Sequence, residues 1–299
     1  MAAPTLTRAL VARHGAGRDD TYDAALLDVA QDHLLWLLVE LGLFADGRLI
    51  LKGGTSLRKC RLGGAGRFST DLDFAAPDED AVLEVCEKID GALVSGFTFS
   101  LSSTRGDGRH WNLVVEHSTL GRLHIGASVE FARRPLVLAP ELLPFVPLPV
   151  HRAYEMALPS LPVIAEAEAC AEKLARYRRT ALGRDVYDLA QMANRPIDEP
   201  LVRRLWVLKV WGDVVDDRRG GGPLEPADVL GERLEKDFAP ESIWMLTRPV
   251  DLLGWERQVR HRYEFLSDLD DDEQRWAMCD PRHRREVDAA LAAGGFVSA

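Results

Sequence analysis

The stretch Leu51–Phe74, LKGGTSLRKCRLGGAGRFSTDLDF, contains a pair of acids that predicts a metal site. Asp71 and Asp73 alternate with Leu72 and Phe74 in a short predicted strand. Residues two apart in a strand point to the same side, so the two carboxylates share a face. Because like charges repel, a cation between them is the usual solution. Mg²⁺, which prefers oxygen ligands, is the ion that we expect.

The first half of the same stretch predicts an anion-binding loop. A short apolar strand runs into Lys52, and Gly53, Gly54, Thr55 and Ser56 follow. Glycines leave backbone N–H groups open to a closely approaching anion. A metal pair beside an anion loop predicts a nucleotide site. Each pattern alone has an ordinary explanation, since most isolated DxD and GGTS sequences are solvated strand ends or turns.

Both patterns resemble the sequence of one family. Lys52–Leu57 (KGGTSL) and Arg67–Asp73 (RFSTDLD) are similar to paired segments of the AbiEii-type nucleotidyltransferase toxins, which include MenT-like toxins. This family belongs to the DNA polymerase β-like nucleotidyltransferase superfamily. A second family segment, of the form AEKL…R…RD-x-YDL, corresponds to residues 171–189. The likeness covers roughly residues 20–215.

The resemblance implies an α+β fold. An N-terminal polymerase-β-like palm, a mixed sheet with helices, is expected before a mainly helical C-terminal domain. The expected division is an N-terminal arm (1–20), a palm domain (21–135), a connector (136–162) and a helical domain (163–299) that carries Lys173 and Asp188. Seven prolines between 135 and 162 favour an extended connector, because proline removes a backbone donor and restricts its predecessor.

Hydrophobic periodicity predicts the other elements. Thr21 to about Leu43 reads as an amphipathic helix with a wide buried face. Strands are predicted over 97–102, 111–117 and 121–131, with a further short one at 161–164. Helices are predicted over 78–91, 166–180, 185–192, 199–212, 226–237, 249–266 and 281–293. Residues 218–223 predict a loop, with a mobile basic finger as the alternative.

A third acid lies in the strand predicted over 121–131. Glu130 stands among apolar neighbours, where an unpaired carboxylate would be costly to bury. A polymerase-β-like palm takes its third metal-binding acid from a later strand beside the DxD strand, so the resemblance makes Glu130 the third metal ligand. The alternative is a surface strand end paired with Arg133 or Arg134.

The second family segment contributes a lysine and two acids. Lys173 lies on a partly buried helix, where a lysine either meets an anion or extends its charge to solvent. The resemblance implies that it contacts the nucleotide phosphates. Asp185 and Asp188 are neighbours on a helix face, and we favour Asp188 as the functional acid. Asp185 could instead cap its helix, and either acid could orient Lys173 or Arg184.

The resemblance also implies a mechanism. The acceptor hydroxyl attacks the α-phosphorus of a nucleoside triphosphate in line, and pyrophosphate leaves. Asp71 and Asp73 would bridge two Mg²⁺ ions, and Glu130 would hold the one that activates the acceptor. The glycine loop would hold the β- and γ-phosphates. Lys52 and Arg67, which belong to the same two segments, are further candidates.

A toxin of a toxin–antitoxin system is the function that the resemblance implies. The expected acceptor is RNA, with the 3′ end of tRNA as the target, so that translation stops; a cognate antitoxin is the expected protein partner. A small-molecule (antibiotic-type) nucleotidyltransferase and kinase-like phosphoryl transfer are the alternatives. A non-catalytic binding protein is disfavoured because Asp71, Asp73 and Lys173 are all present.

Composition fits a cytoplasmic enzyme. The 299 residues are 46% hydrophobic and 28% charged, as in ordinary soluble globular proteins, and no apolar segment predicts a membrane span or signal peptide. Four scattered cysteines predict reduced thiols. The formal net charge of −10 makes non-specific nucleic-acid binding unfavourable, so RNA binding would need a local basic patch. No oligomeric state follows from the sequence.

Overall fold

The strand that carries Asp71 and Asp73 lies inside a mixed sheet. A computed structural model describes residues 6–16, 19–76, 79–104, 108–132, 136–238, 246 and 248–294. Within these ranges the strands are β1 (Ile50–Lys52), β2 (Asp71–Ala75), β3 (Ala92–Val94), β4 (Phe97–Thr104), β5 (His110–His117), β6 (Gly121–Ala132), β7 (Glu141–Pro144) and β8 (Ser160–Val163). The described strands form one sheet in the order β3-β4-β5-β6-β2-β1-β8-β7.

Strand β2 is central in this sheet. Its partner β1 runs antiparallel and pairs Lys52 with Asp73, while β6 runs parallel and pairs Glu130 with Asp73. The predicted neighbour relation between the DxD strand and the strand of Glu130 is therefore confirmed. β4, β5 and β6 form an antiparallel meander close to the bounds predicted for them.

Helices are also present in the first part of the chain. They are α1 (Arg8–His14), α2 (Tyr22–Glu40), α3 (Gly53–Leu57) and α4 (Glu79–Ile89). A π-helical turn, Arg58–Leu62, continues α3 directly, and we call residues 53–62 together the glycine segment. A wider turn of this kind lets one extra residue enter the helix and often occurs at functional sites.

The helix predicted from Thr21 to Leu43 is present as α2, but its amphipathic character is wrong. Asp28, Gln31 and Asp32 are buried along with its leucines. The periodicity places polar residues on a solvent face, whereas here they meet charged groups from other segments of the chain.

The proline-rich connector contains more regular structure than expected. β7 and β8 both lie in it and pair with each other, and Pro149–Ala153 forms a 3₁₀ turn. β7 is the terminal strand of the sheet, a position where a strand residue such as Pro144 needs no backbone donor. Neither β7 nor β3 was predicted; β8 agrees with the short strand expected at 161–164.

The chain from residue 166 onward is helical, as expected. The helices are α5 (Glu166–Arg179), α6 (Gly183–Met192), α7 (Glu199–Trp211), α8 (Ala227–Leu230), α9 (Leu252–Arg262), α10 (Asp271–Ala277) and α11 (Arg284–Ala292). The helix predicted over 226–237 is shorter, ending at Leu230, and α10 was missed. Large buried side chains fill the core here: Tyr177, Trp206, Trp211, Tyr263 and Trp276.

Contacts within the chain define two units. The first includes residues up to 136 and residues 140–164, and the second includes 137–139 and most of the chain from 165 onward. This division does not test the domain boundaries expected at 135 and 163, which stay a prediction. No helix in the described ranges is both long enough and apolar enough to cross a bilayer.

The four cysteines are free thiols and all are buried: Cys60, Cys86, Cys170 and Cys279. Burial raises the pKa of Cys60, Cys86 and Cys170 to about 12 in each case. The thiol of Cys279 also has a raised pKa, again because of burial. All four groups therefore stay protonated at neutral pH.

Candidate functional site

The first glycine of the loop accommodates a carboxylate of the DxD pair. Gly53 has φ +71°, in the left-handed region that favours glycine. A Cβ at this position would overlap Oδ2 of Asp73 and lie 2.7 Å from its Cγ. The pairing of Lys52 with Asp73 across β1 and β2 brings the two segments to this distance. The structure thus joins the two patterns that the sequence analysis linked.

The second glycine accommodates a guanidinium. A Cβ on Gly54 would lie 2.5 Å from Nη2 of Arg67 and 3.3 Å from Oγ of Ser69. Arg67 is buried, and its Nη1 donates to the carbonyl of Phe68 at 3.0 Å. Each glycine therefore makes room for a charged side chain that comes from the RFSTDLD segment.

The hydroxyls of the loop are used inside the protein. Thr55 and Ser56 are fully buried. Oγ1 of Thr55 donates to the carbonyl of Asp71, and Oγ of Ser56 donates to the carbonyl of Gly53 at 2.8 Å. Because a hydroxyl has a single hydrogen, neither side chain has a second donor for a phosphate in this arrangement. Backbone N–H groups at the start of α3 are the better candidates for that contact.

The DxD strand shows the expected alternation. Leu72 and Phe74 are fully buried, whereas Asp71 and Asp73 are only partly buried on the other face. The hydroxyl of Thr70 donates to Oδ1 of Asp71 at 2.8 Å. Two partly exposed carboxylates on one strand face form an all-oxygen donor set, which fits a hard divalent cation such as Mg²⁺.

The third expected metal ligand is placed only by its backbone. Glu130 is in register with Asp73 on the parallel neighbour β6. Its side chain lies outside the described part of the chain, as do Arg133 and Arg134, its alternative partners. Among the side chains that are described, no group of three His, Cys, Asp or Glu is arranged to hold a metal ion. The roles of Asp71, Asp73 and Glu130 as metal ligands stay predictions.

The second unit brings the lysine and both acids of the other family segment together. Nζ of Lys173, on α5, lies 3.1 Å from Oδ1 of Asp185 and 2.8 Å from Oδ2 of Asp188, both on α6. All three are buried. Nε of Arg176 lies 3.1 Å from the other oxygen of Asp185. Asp185 does not cap its helix, since Leu182 is the N-cap residue and no side-chain cap bond is made.

The two aspartates hold the ammonium group of Lys173 in a defined position. A buried lysine between two carboxylates has its charge compensated, and the two contacts restrict its long side chain. Both Asp185 and Asp188 contact Lys173 directly, which supports the alternative that an acid orients this lysine.

A buried network in the first unit was missed by the sequence analysis. Nζ of Lys59 lies 2.7 Å from Oδ1 of Asp28 and 2.7 Å from Oδ1 of Asp32. Burial opposes ionisation, but the charges of Arg58 and Lys59 hold the pKa of Asp28 well below its usual value. Burial also opposes ionisation of Asp32, but Lys59 and His151 together lower the pKa of this acid. The signal in the sequence is a pair of acids four residues apart, Asp28 and Asp32, among the leucines and alanines of a helix.

Comparisons with known proteins agree with the motifs. The family model described as nucleotidyl transferase AbiEii toxin, type IV TA system, matches residues 36–293. The chain is 70% identical in sequence to the solved structure of MenT4, a nucleotidyltransferase toxin from Mycobacterium tuberculosis. That match has a TM-score of 0.93 and covers 96% of this chain and 99% of that one. Among curated proteins, no significant match is found.

Two solved structures from Helicobacter pylori are more distant. One, a putative nucleotidyltransferase, is 17% identical with a TM-score of 0.45, and the match covers 80% of this chain and 94% of that one. The other, JHP933, is 16% identical with a TM-score of 0.45, over 88% and 97% of the two chains. Similarity at this level says nothing further about this chain. On the family match and the MenT4 likeness, the chain belongs to the AbiEii nucleotidyltransferase toxins of type IV toxin–antitoxin systems.

Proposed function

We propose that this enzyme transfers a nucleoside monophosphate from a nucleoside triphosphate to RNA, with the 3′ end of tRNA as the acceptor, and so blocks translation. The observation that carries the proposal is the approach of the Asp73 carboxylate to the backbone of Gly53. This contact puts the candidate metal ligands beside the candidate phosphate loop. A metal-bound triphosphate needs both at once, because its charge is shared between cation and donors.

Residues of the first unit would bind the donor. Bound Mg²⁺ would supply neutralisation of the phosphate charge and activation of the acceptor hydroxyl, and Asp71, Asp73 and Glu130 are the residues that would hold it. The first N–H groups of α3 have no partner within their helix, so they can donate to the β- and γ-phosphates. The buried guanidinium of Arg67 beside Gly54 adds positive charge to the same loop.

Residues of the second unit would fix the triphosphate by charge. Lys173 is the proposed phosphate contact, and its ammonium is held by Asp185 and Asp188. A pre-positioned cation costs less reorganisation during reaction than a mobile one, and so stabilises the charge that develops on the leaving pyrophosphate. In this scheme Asp185 and Asp188 act through Lys173.

Membership of the toxin family supports RNA as the proposed acceptor class. A reaction on tRNA in the cytoplasm would stop protein synthesis, and an antitoxin encoded with the toxin would restrain it. The acidic balance of the chain requires that tRNA be bound by shape and by local basic side chains.

Labelled nucleotides test the proposal. Purified protein is incubated with total RNA, Mg²⁺ and each of the four triphosphates labelled in turn at the α-phosphate, and the products are separated by size. Label is expected in the tRNA band with wild type and absent with Asp73→Asn. The control Asp268→Asn, a change at an exposed acid in the second unit, should label as wild type does.

Two results would contradict the proposal. In a parallel reaction with γ-labelled triphosphates, label that enters RNA only from the γ-phosphate would indicate phosphoryl transfer. Label that enters a small molecule, with the RNA unlabelled, would indicate an antibiotic-type acceptor.

A further inference from the structure

One face of α2 carries three buried polar residues that the proposed mechanism does not use. Asp28, Gln31 and Asp32 are 0%, 2% and 0% exposed. Their spacing of three and four residues puts them side by side on the helix. We refer to these three residues as the α2 polar stripe. Burying them is costly unless each meets a partner.

The two acids of the α2 polar stripe hold the end of the glycine segment. Nζ of Lys59 donates to the carbonyl of Asp28 at 2.6 Å and to its Oδ1 at 2.7 Å, and it also lies 2.7 Å from Oδ1 of Asp32. Nη2 of Arg58 lies 3.3 Å from Oδ2 of Asp28. Arg58 and Lys59 belong to the π-helical turn that continues α3. The helix that begins at Gly53 is thus fixed to α2 at its far end.

The amide of Gln31 contacts the segment that precedes the DxD strand. Nε2 of Gln31 donates to the carbonyl of Ser69 at 3.0 Å, and this contact is buried. Ser69 precedes Asp71 by two residues, and its Oγ lies near Gly54. One helix face therefore contacts both segments that form the candidate site.

Further groups contact the two acids of the α2 polar stripe. His14 contacts Oδ2 of Asp28 at 2.7 Å, and the hydroxyl of Tyr154 donates to Oδ2 of Asp32 at 2.6 Å. His151 lies 3.3 Å from the same oxygen of Asp32. α2 is consequently also connected to α1, through His14, and to the 3₁₀ turn Pro149–Ala153, through His151.

We infer that the α2 polar stripe positions the glycine segment against Asp73 and thereby sets the geometry of nucleotidyl transfer. Gly53 and Asp73 approach so closely that a Cβ would not fit, so a small displacement of either segment changes the site. Stability alone does not explain why charges are buried here, because apolar groups can often replace such pairs without loss of net stability. The inference rests on the proposed placement of the nucleotide at this loop.

Substitution of Gln31 tests the positioning role without changing the ion pairs. Gln31→Met keeps the length of the side chain and removes the donor; Gln31→Glu keeps the shape and replaces the donor by a negative charge. The control Gln258→Met makes the same change in the second unit, where Nε2 donates to the carbonyl of Ala190 at 3.0 Å. kcat and KM for the triphosphate are measured with the α-label, well below the melting temperature of each variant.

The expected result is a split between the two constants. For Gln31→Met, kcat falls by about tenfold while KM changes by less than about threefold, because displacement affects the transition state most. The kcat of Gln31→Glu falls further, and the kcat of Gln258→Met stays near that of wild type. A merely structural role would lower the melting temperature of the Gln31 variants and leave kcat of the folded protein unchanged.

Each outcome decides the inference. A wild-type kcat in both Gln31 variants overturns the inference. A higher kcat for Gln31→Glu than for Gln31→Met also overturns it. If Gln31→Met does not fold, Asp32→Asn, which weakens the other end of the stripe, takes its place. The same fall in kcat is then expected. Loss of transfer in Asp73→Asn alongside unchanged Gln31 variants refutes only the positioning role, whereas full transfer by Asp73→Asn refutes the proposed site itself.

Discussion

Two lysines of this protein are each held between two buried aspartates, and their surroundings differ. Lys59 in the first unit is 2% exposed and Lys173 in the second unit is 7% exposed. The aspartates around Lys59 accept further contacts from buried histidine, tyrosine and arginine side chains. One aspartate beside Lys173 instead meets Arg176, whose side chain is 40% exposed. The same chemical trio thus forms a closed support in one place and a more open cluster in the other.

The comparison shows that a buried lysine–aspartate cluster has no single meaning. A closed network fixes segments of backbone, and its removal affects folding first. A cluster with a route to solvent keeps an ammonium available for an anion, and its removal affects turnover first. Measuring stability and turnover separately for matched variants therefore tests whether the two clusters differ as their contacts indicate.

The largest effect is expected from Lys59→Met. Without the ammonium, Asp28 and Asp32 are left as uncompensated buried charges, and the free energy of unfolding should fall by about 3–5 kcal/mol. Urea unfolding followed by circular dichroism measures the change. Lys88→Met, at an exposed position of α4, is the matched control and should stay within about 0.5 kcal/mol of wild type. A Lys59→Met protein as stable as that control would contradict the closed-support interpretation.

Lys173→Met should affect turnover more than stability. Loss of the proposed phosphate contact is expected to lower nucleotidyl transfer by about 10²–10³-fold, equivalent to about 2.7–4 kcal/mol of transition-state stabilisation. Its free energy of unfolding should fall by less than that of Lys59→Met, because Arg176 still faces Asp185. Lys236→Met, at an exposed position, is the control. Transfer at the wild-type rate would remove Lys173 from the mechanism.

A pair of glycine variants tests the glycine segment, which begins at Gly53 and is held by the contacts of Lys59. Gly53 and Gly91 have φ of +71° and +75°, so alanine at either position costs about 1–2 kcal/mol of backbone strain. Only at Gly53 would the new Cβ collide with Asp73; at Gly91 nothing lies within 4 Å. Gly53→Ala should therefore lose transfer activity, and Gly91→Ala should keep it. Equal activity in the two variants would show that the Gly53–Asp73 contact is dispensable.

The smallest effect is a pH dependence of stability that belongs to the Lys59 cluster. The folded-state pKa values of Asp28 and Asp32 are lowered, so the stability that these groups provide is complete above their usual value of 3.8. It is lost as the pH falls from that value through the folded-state pKa, because the unfolded chain then binds more protons. The slope is about 1.4 kcal/mol per pH unit for each proton taken up.

Urea unfolding at a series of pH values below 5 measures this slope. The variant Asp28→Asn lacks one of the two groups and should show a flatter curve than wild type. Asp90→Asn, at an exposed acid, serves as control. Parallel curves for wild type and Asp28→Asn would mean that Asp28 is not ionised below its usual pKa in the folded protein.

The sequence predicted the parts of the site that depend on local pattern. Alternation in residues 71–74 and the glycines at 53 and 54 are visible over a few residues, and they correspond to the observed strand face and to the two close approaches. Lys173 and its aspartates lie within sixteen residues of one another and match a family segment. Short separations of this kind can be interpreted from spacing and resemblance.

The Lys59 network could not be predicted in this way. Lys59 lies 31 residues after Asp28 and Tyr154 lies 122 residues after Asp32, and a helical periodicity assigns each acid of α2 to solvent by default. Strand β7 was missed for a related reason: prolines argue against strands, and only its place at the end of the sheet explains why Pro144 is tolerated. Tertiary pairing decided both cases.

The buried, protonated thiols give the molecule a set of native reporters. Cys60 and Cys86 belong to the first unit, and Cys170 and Cys279 to the second. Only a thiolate reacts rapidly with alkylating reagents, so these sulfurs are protected until their surroundings open. Mass spectrometry of alkylated peptides can therefore follow the local opening of each half of the chain separately, without any engineered cysteine.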